Sequence, residues 1–151
     1  YWRSKRELLA AVIADNQTRM RAIARQDLGT SAMIEDLARQ NLAASRQYLL
    51  ILTRAFADGL PVGDWPGGFP AVEAILERLG LDTPADHGDE AAGEARRLVA
   101  VVVAMLTGWV LIEDQLLDVV GLGVDERVAA RETLVAAIET VLRPAIDRAA
   151  G

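Results

Sequence analysis

The chain has 151 residues, of which 52% are hydrophobic and 25% charged, and a formal net charge of −6. That length supports one domain with a real core, and that composition excludes a disordered chain. With no cysteine there is no disulfide and no thiolate metal site, and the acidic balance opposes nucleic-acid binding by most of the molecule.

The charge is uneven. Residues 1–27 hold six basic and three acidic residues, the remainder ten and nineteen. Any contact with DNA is therefore expected near the amino end. Ser4-Lys5-Arg6-Glu7 reads as a capping box opening a first helix. Leu8/Leu9, Val12/Ile13, Asn16, Met20 and Ile23/Ala24 then recur at helical spacing. Asp27-Leu28-Gly29-Thr30 is expected to end it, with Gly29 in a left-handed cap.

A second helix is expected over residues 31–57, with Met33, Leu37, Asn41, Ala44, Tyr48, Ile51/Leu52 and Ala55 as its buried stripe. Gly59 and Pro61 stop it. DGLPVGDWPGGFP, residues 58–70, is a loop without the lysine or preceding strand of a phosphate-binding loop. A short third helix covers 70–79, closed by Gly80, and the polar segment 81–90 leads into a long fourth. From Leu98 to Ile112 of that helix, only Thr107 and Gly108 interrupt apolar residues. A helix on the surface of one core needs a single apolar stripe, so this one is central or meets a second subunit. The apolar run ends in Glu113-Asp114 and is short for a membrane span. Gly121-Leu122-Gly123 ends the helix. A last helix spans 125–149 with the stripe Leu134, Ile138, Val141/Leu142 and Ala145/Ile146, and Pro144 is expected to bend it. No segment alternates with period two, so the expected class is all-α, a bundle of about five helices.

Catalytic patterns are sparse. His87 is the single histidine and sits in a polar connector, so a Ser-His-Asp or Cys-His arrangement has little to rest on, and no Glu-x-x-His pair of the di-iron bundles occurs. Glu113 and Asp114 are neighbouring carboxylates, but adjacent helix positions point about 100° apart, and a solvated helix edge is the simpler reading. No enzyme, metal or cofactor is expected. No cleavage-like segment precedes the first helix, and a cytoplasmic location without membrane attachment is the default.

Trp2-Arg3-Ser4-Lys5-Arg6-Glu7-Leu8-Leu9 resembles a signature of the tetracycline-repressor (TetR) family, aromatic-x-Ser-Lys-x-x-Leu-Leu. There it marks the passage from the DNA-recognition helix into the regulatory domain. Gly108-Trp109-Val110-Leu111-Ile112-Glu113, followed by Gly121-Leu122 and one amphipathic helix, is similar to the family's layout near its carboxy end. The resemblance implies a ligand-responsive transcriptional regulator, most simply a repressor. Residues 1–4 would be the end of a mostly missing DNA-binding head, and 4–151 the ligand-binding and dimerisation domain. Operator DNA would be bound through a helix-turn-helix upstream of Tyr1, with Tyr1 and Lys5 resembling family phosphate contacts.

The resemblance also implies a homodimer formed by the last two helices. Ala100, Ala104 and Gly108 offer a small-residue strip for close approach, joined by Leu134, Ile138 and Val141 of the final helix. Asn16, Asn41 and Tyr48 lie on otherwise apolar stripes, and a buried amide or phenol needs a partner. A small, mostly apolar effector is one such partner, and an internal hydrogen bond is the commoner one. Met20, Met33 and Met105 with Trp65, Phe69 and Trp109 are candidate walls of that site, with core packing as the competing reading. A helical interaction scaffold without a small-molecule pocket is the alternative function.

Overall fold

The computed structural model describes residues 5–44, 46–59, 69–81 and 89–151. Among these, all regular structure is helical: α1 (Lys5–Ala24), α2 (Thr30–Ala44), α3 (Arg46–Ala57), α4 (Pro70–Arg78), α5 (Glu90–Val119) and α6 (Arg127–Ala150). A 3₁₀ turn over Val124–Glu126 leads into α6. The all-α class is as expected, and within residues 31–57 the described residues are helical on both sides of residue 45, as α2 and α3.

The helix ends follow from local chemistry. After α4, Leu81 N–H donates to Leu76 O and Gly80 N–H to Glu77 O, with Gly80 at φ +66°. After α5, Leu122 donates to Leu117 O and Gly121 to Asp118 O, with Gly121 at φ +75°. Both are Schellman ends, in which glycine takes the left-handed position at no steric cost. Gly29 does not: its φ is not positive, and its carbonyl accepts from Met33 N–H. It opens α2, because α1 has already ended at Ala24. Asp89 caps α5, its carboxylate accepting from Ala91 N–H at 3.0 Å.

The core draws on every helix, including Ile13, Met33, Leu37, Leu52, Ile75, Leu79, Val99, Val102 and Leu142. α6 packs on α2 and α5, while α1 packs on α4 and α2. The apolar stripe of α6 is therefore used within the chain. Leu134 and Ile138 are buried and so are not on an outer dimer face, while Val141 is half-buried against the core. Pro144 does not end α6, which continues to Ala150. The irregular point lies in α5, at Ile112, with φ −125° and ψ 19°.

α5 is 30 residues long. By length and composition it could cross a membrane, so the short apolar run in the sequence does not settle that question. In this fold Ala92, Ala95, Val99, Val102 and Val110 form its buried side. Ala100, Val101, Ala104 and Ile112 are exposed along the other, and a Cβ built at Gly108 meets nothing within 4 Å.

Candidate functional site

A cavity of about 300 Å³ opens between the helices. Each wall is set by helical spacing, since residues three and four apart share a face. α1 gives Asn16, Gln17 and Met20; α2 gives Ile34, Leu37, Ala38 and Asn41; α3 gives Tyr48, Leu49, Leu52 and Thr53. Phe69 and the start of α4 form one end, α5 contributes Val102, Val103, Leu106 and Thr107, and Ile138 of α6 reaches in from behind. None of the described lining residues carries a charge.

Two polar side chains define the chemistry. Asn16 is buried, at 7% exposure, and its Oδ1 has no hydrogen-bond partner. Tyr48, half-buried on α3, hydrogen-bonds the Asn16 side chain. Burial raises the pKa of the phenol, and the bond with Asn16 only partly opposes this. The phenol is therefore neutral at physiological pH, like everything else around the cavity. Thr53 lends no free donor, because its hydroxyl donates to Leu49 O at 2.8 Å. A neutral, largely apolar wall with few polar groups suits binding of an uncharged molecule.

Asn16, Met20, Asn41, Tyr48 and Phe69 are thus brought together, as the sequence suggested. Met33, Met105 and Trp109 are not. Met33 has 0% exposure and is wedged in the core. Met105 and Trp109 pack against the core without lining the cavity, whereas Val102, Val103, Leu106 and Thr107 of the same helix reach it. Trp65 and Tyr1 lie outside the described residues, as do Trp2, Ser4, His87 and the side chain of Lys5. Gln17, 3% exposed, also lines the cavity, and the helical spacing of Ile13, Gln17 and Met20 is the signal that marks it. Among the described residues, no group of His, Cys, Asp or Glu could hold a metal ion.

A second polar centre lies farther along α5. Glu113 accepts from Arg131 Nε at 2.6 Å, Arg131 Nη2 at 2.7 Å and Trp109 Nε1 at 2.8 Å. Arg127 Nε stands 3.5 Å from the same carboxylate, and Arg127 Nη2 donates to Asp114 at 2.5 Å. Arg46, which opens α3, donates to Asp114 at 2.8 Å. Burial pushes the Glu113 carboxyl up, but the hydrogen bonds from Arg131 and Trp109 and the charges of Arg131 and Arg127 outweigh it and hold the carboxyl below its usual range. The solvated edge expected for Glu113 is wrong: it is buried, because two arginines one turn apart on α6 cover it. Trp109 and Glu113, four apart, carried a signal for this, since a buried indole N–H seeks an acceptor. The cluster ties α3, α5 and α6 together, with Glu113 accepting three hydrogen bonds inside it.

Set against known proteins, the chain has no counterpart to report: no family model, no curated protein and no solved structure matches it.

Proposed function

We propose that this chain is the effector-binding and dimerisation domain of a TetR-type transcriptional regulator. The observation that carries this reading is the neutral, largely apolar cavity of about 300 Å³ between the helices, with Asn16 and Tyr48 on its wall. A pocket of this size and lining belongs to the ordinary range of small-molecule sites. The amino-terminal signature at Trp2 to Leu9 resembles the one that joins such domains to a DNA-reading head, and α1 carries its last residues, Lys5 to Leu9, together with Asn16 and Met20. An effector in the cavity would bias the position of α1 and so the spacing of two heads, a shift of population with no covalent chemistry.

The outer face of α5 supports the dimer. Ala100, Val101, Ala104 and Ile112 are exposed and Gly108 opens onto free space, so a second α5 could approach closely. On α6 the exposed partners are Ala129, Thr133, Ala136 and Thr140. Both threonine hydroxyls donate to their own helix, Thr133 to Ala129 O and Thr140 to Ala136 O, which leaves that face less polar than its composition suggests. A specific dimer should bury at least about 1,200 Å². The scaffold alternative has an observation of its own: Val119, Val120, Val124 and Val128 are exposed around the α5–α6 corner, and clustered exposed apolar residues mark protein-binding surfaces.

A thermal-shift screen with uncharged compounds, run beside sedimentation velocity at micromolar concentration, tests the reading. A regulator domain sediments as a dimer and gains stability with the logarithm of ligand concentration above its dissociation constant. Gly108→Phe returns it to a monomer. A monomer that no compound stabilises leaves only the scaffold.

A further inference from the structure

The cavity has a polarity that narrows its ligand further. This step rests on the cavity being a ligand site, as proposed above. Asn16 is more than nine-tenths buried, lines the cavity, and has a carbonyl oxygen without a hydrogen-bond partner. Such an atom is expensive to leave unmet, because it lost its water on folding and gained nothing in return. Because Asn16 Oδ1 has no partner, the hydrogen bond between Asn16 and Tyr48 uses the amide N–H₂, which donates to the phenol oxygen. Tyr48 therefore occupies the donor end of the amide and leaves the acceptor end facing no protein donor. The oxygen is shielded by its neighbours, and a small turn about the soft terminal torsion of asparagine would bring it to a bound molecule.

Nothing on the described walls offers charge. Aliphatic side chains of α2 to α5, with Met20 and Phe69, make most of the surface. An ionised ligand would lose its hydration there without a counter-ion. The volume has room for roughly ten to fifteen non-hydrogen atoms at the density of protein interiors, about 0.74.

We infer that the cavity selects an uncharged, mainly apolar molecule whose polar group donates a hydrogen bond to Asn16 Oδ1, as an alcohol does and a ketone of the same shape does not.

Calorimetric titration of this chain with 2-decanol, 2-decanone and decanoate at neutral pH reads the claim. The alcohol and ketone differ only by the donor, and the alcohol should bind about tenfold tighter, the order expected when a buried acceptor is met or left unmet. Decanoate should bind most weakly. In Asn16→Leu, which removes the carbonyl and keeps the branching at Cγ, alcohol and ketone should bind alike. The wild-type comparison stands even if that variant does not fold. Equal binding, or tighter binding of the ketone, by the wild-type chain overturns the donor requirement and leaves the cavity as a ligand site. A preference for the alcohol that survives in Asn16→Leu overturns the role of Asn16. Decanoate as the tightest probe overturns neutrality. Failure of all three probes to bind removes the ligand reading of the cavity together with this inference.

Discussion

Two stretches of α5 meet the rest of the chain in opposite ways. From Val102 to Thr107 the helix borders a cavity whose polar group, Asn16, is left with an unpartnered oxygen. One turn later, Trp109, Glu113 and Asp114 are locked by Arg131, Arg127 and Arg46. The charged end draws the eye in the sequence, yet its carboxylates are met by arginines of the same chain, while Arg127 Nε stays without a hydrogen bond 3.5 Å from Glu113. The neutral stretch looks like ordinary core, yet it is where capacity is left over. A charged cluster whose ions pair with one another is architecture; an apolar space bordered by an unmet acceptor is a place for something else.

That contrast can be tested by substitution, starting from the tightly packed core that both regions adjoin. Met33→Ala should cost about 2–5 kcal/mol in denaturant unfolding, because Met33 has no exposed surface and its removal leaves a void. A loss near zero would mean that Met33 borders open space after all.

Next in size is the locked end. Glu113→Gln should cost about 1.5–3 kcal/mol, since Arg131 and Arg127 would keep their burial and lose their counter-charge. The pH dependence has a definite sign. Folding holds the Glu113 carboxyl below its ordinary value of 4.5, so its stabilising contribution is complete above that value and is lost as pH falls through the lower folded value. Unfolding curves of wild type and Glu113→Gln should therefore converge in acid and stay apart at neutral pH. A gap that does not change with pH would show that the pair contributes shape alone.

A smaller effect separates filled from open space on one helix. Val99→Leu adds a methylene in packed core and should cost about 1–3 kcal/mol. Val103→Leu, one turn on, adds the same group beside the cavity and should cost under about 1 kcal/mol while weakening ligand binding. Equal costs would erase the difference between the two positions. The smallest effect belongs to the surface. Arg39 and Glu132 link α2 to α6 at 3.0 Å but are solvent-exposed, and Arg39→Ala should leave the unfolding midpoint unchanged.

Much of the helical framework was legible because helix boundaries obey local rules. Gly80 and Gly121 end helices for steric reasons that the sequence states directly. The irregular turn at Ile112 was not legible, since neither proline nor glycine stands there. Half of the cavity wall could be read from Asn16, Met20, Asn41 and Tyr48, polar or soft residues on apolar stripes. The α5 wall could not. A helix apolar on nearly every side gives no clue to which face meets which neighbour, and so Met105 and Trp109 were expected where Val103 and Leu106 stand. The burial of Leu134 and Ile138 was hidden for the same reason: an amphipathic stripe does not say whether its partner belongs to its own chain or to another.

The three methionines of the chain offer a direct test of the central claim, because each occupies a different environment. Met20 lines the cavity, Met33 is enclosed in the core, and Met105 lies on α5 away from the lining. In a carbon-13 methyl spectrum of methionine-labelled protein titrated with 2-decanol, the Met20 resonance should move progressively to saturation while those of Met33 and Met105 stay nearly still. Movement of Met105 with Met20 unmoved, or no movement of any resonance at saturating alcohol, would contradict the assignment of the cavity as the ligand site.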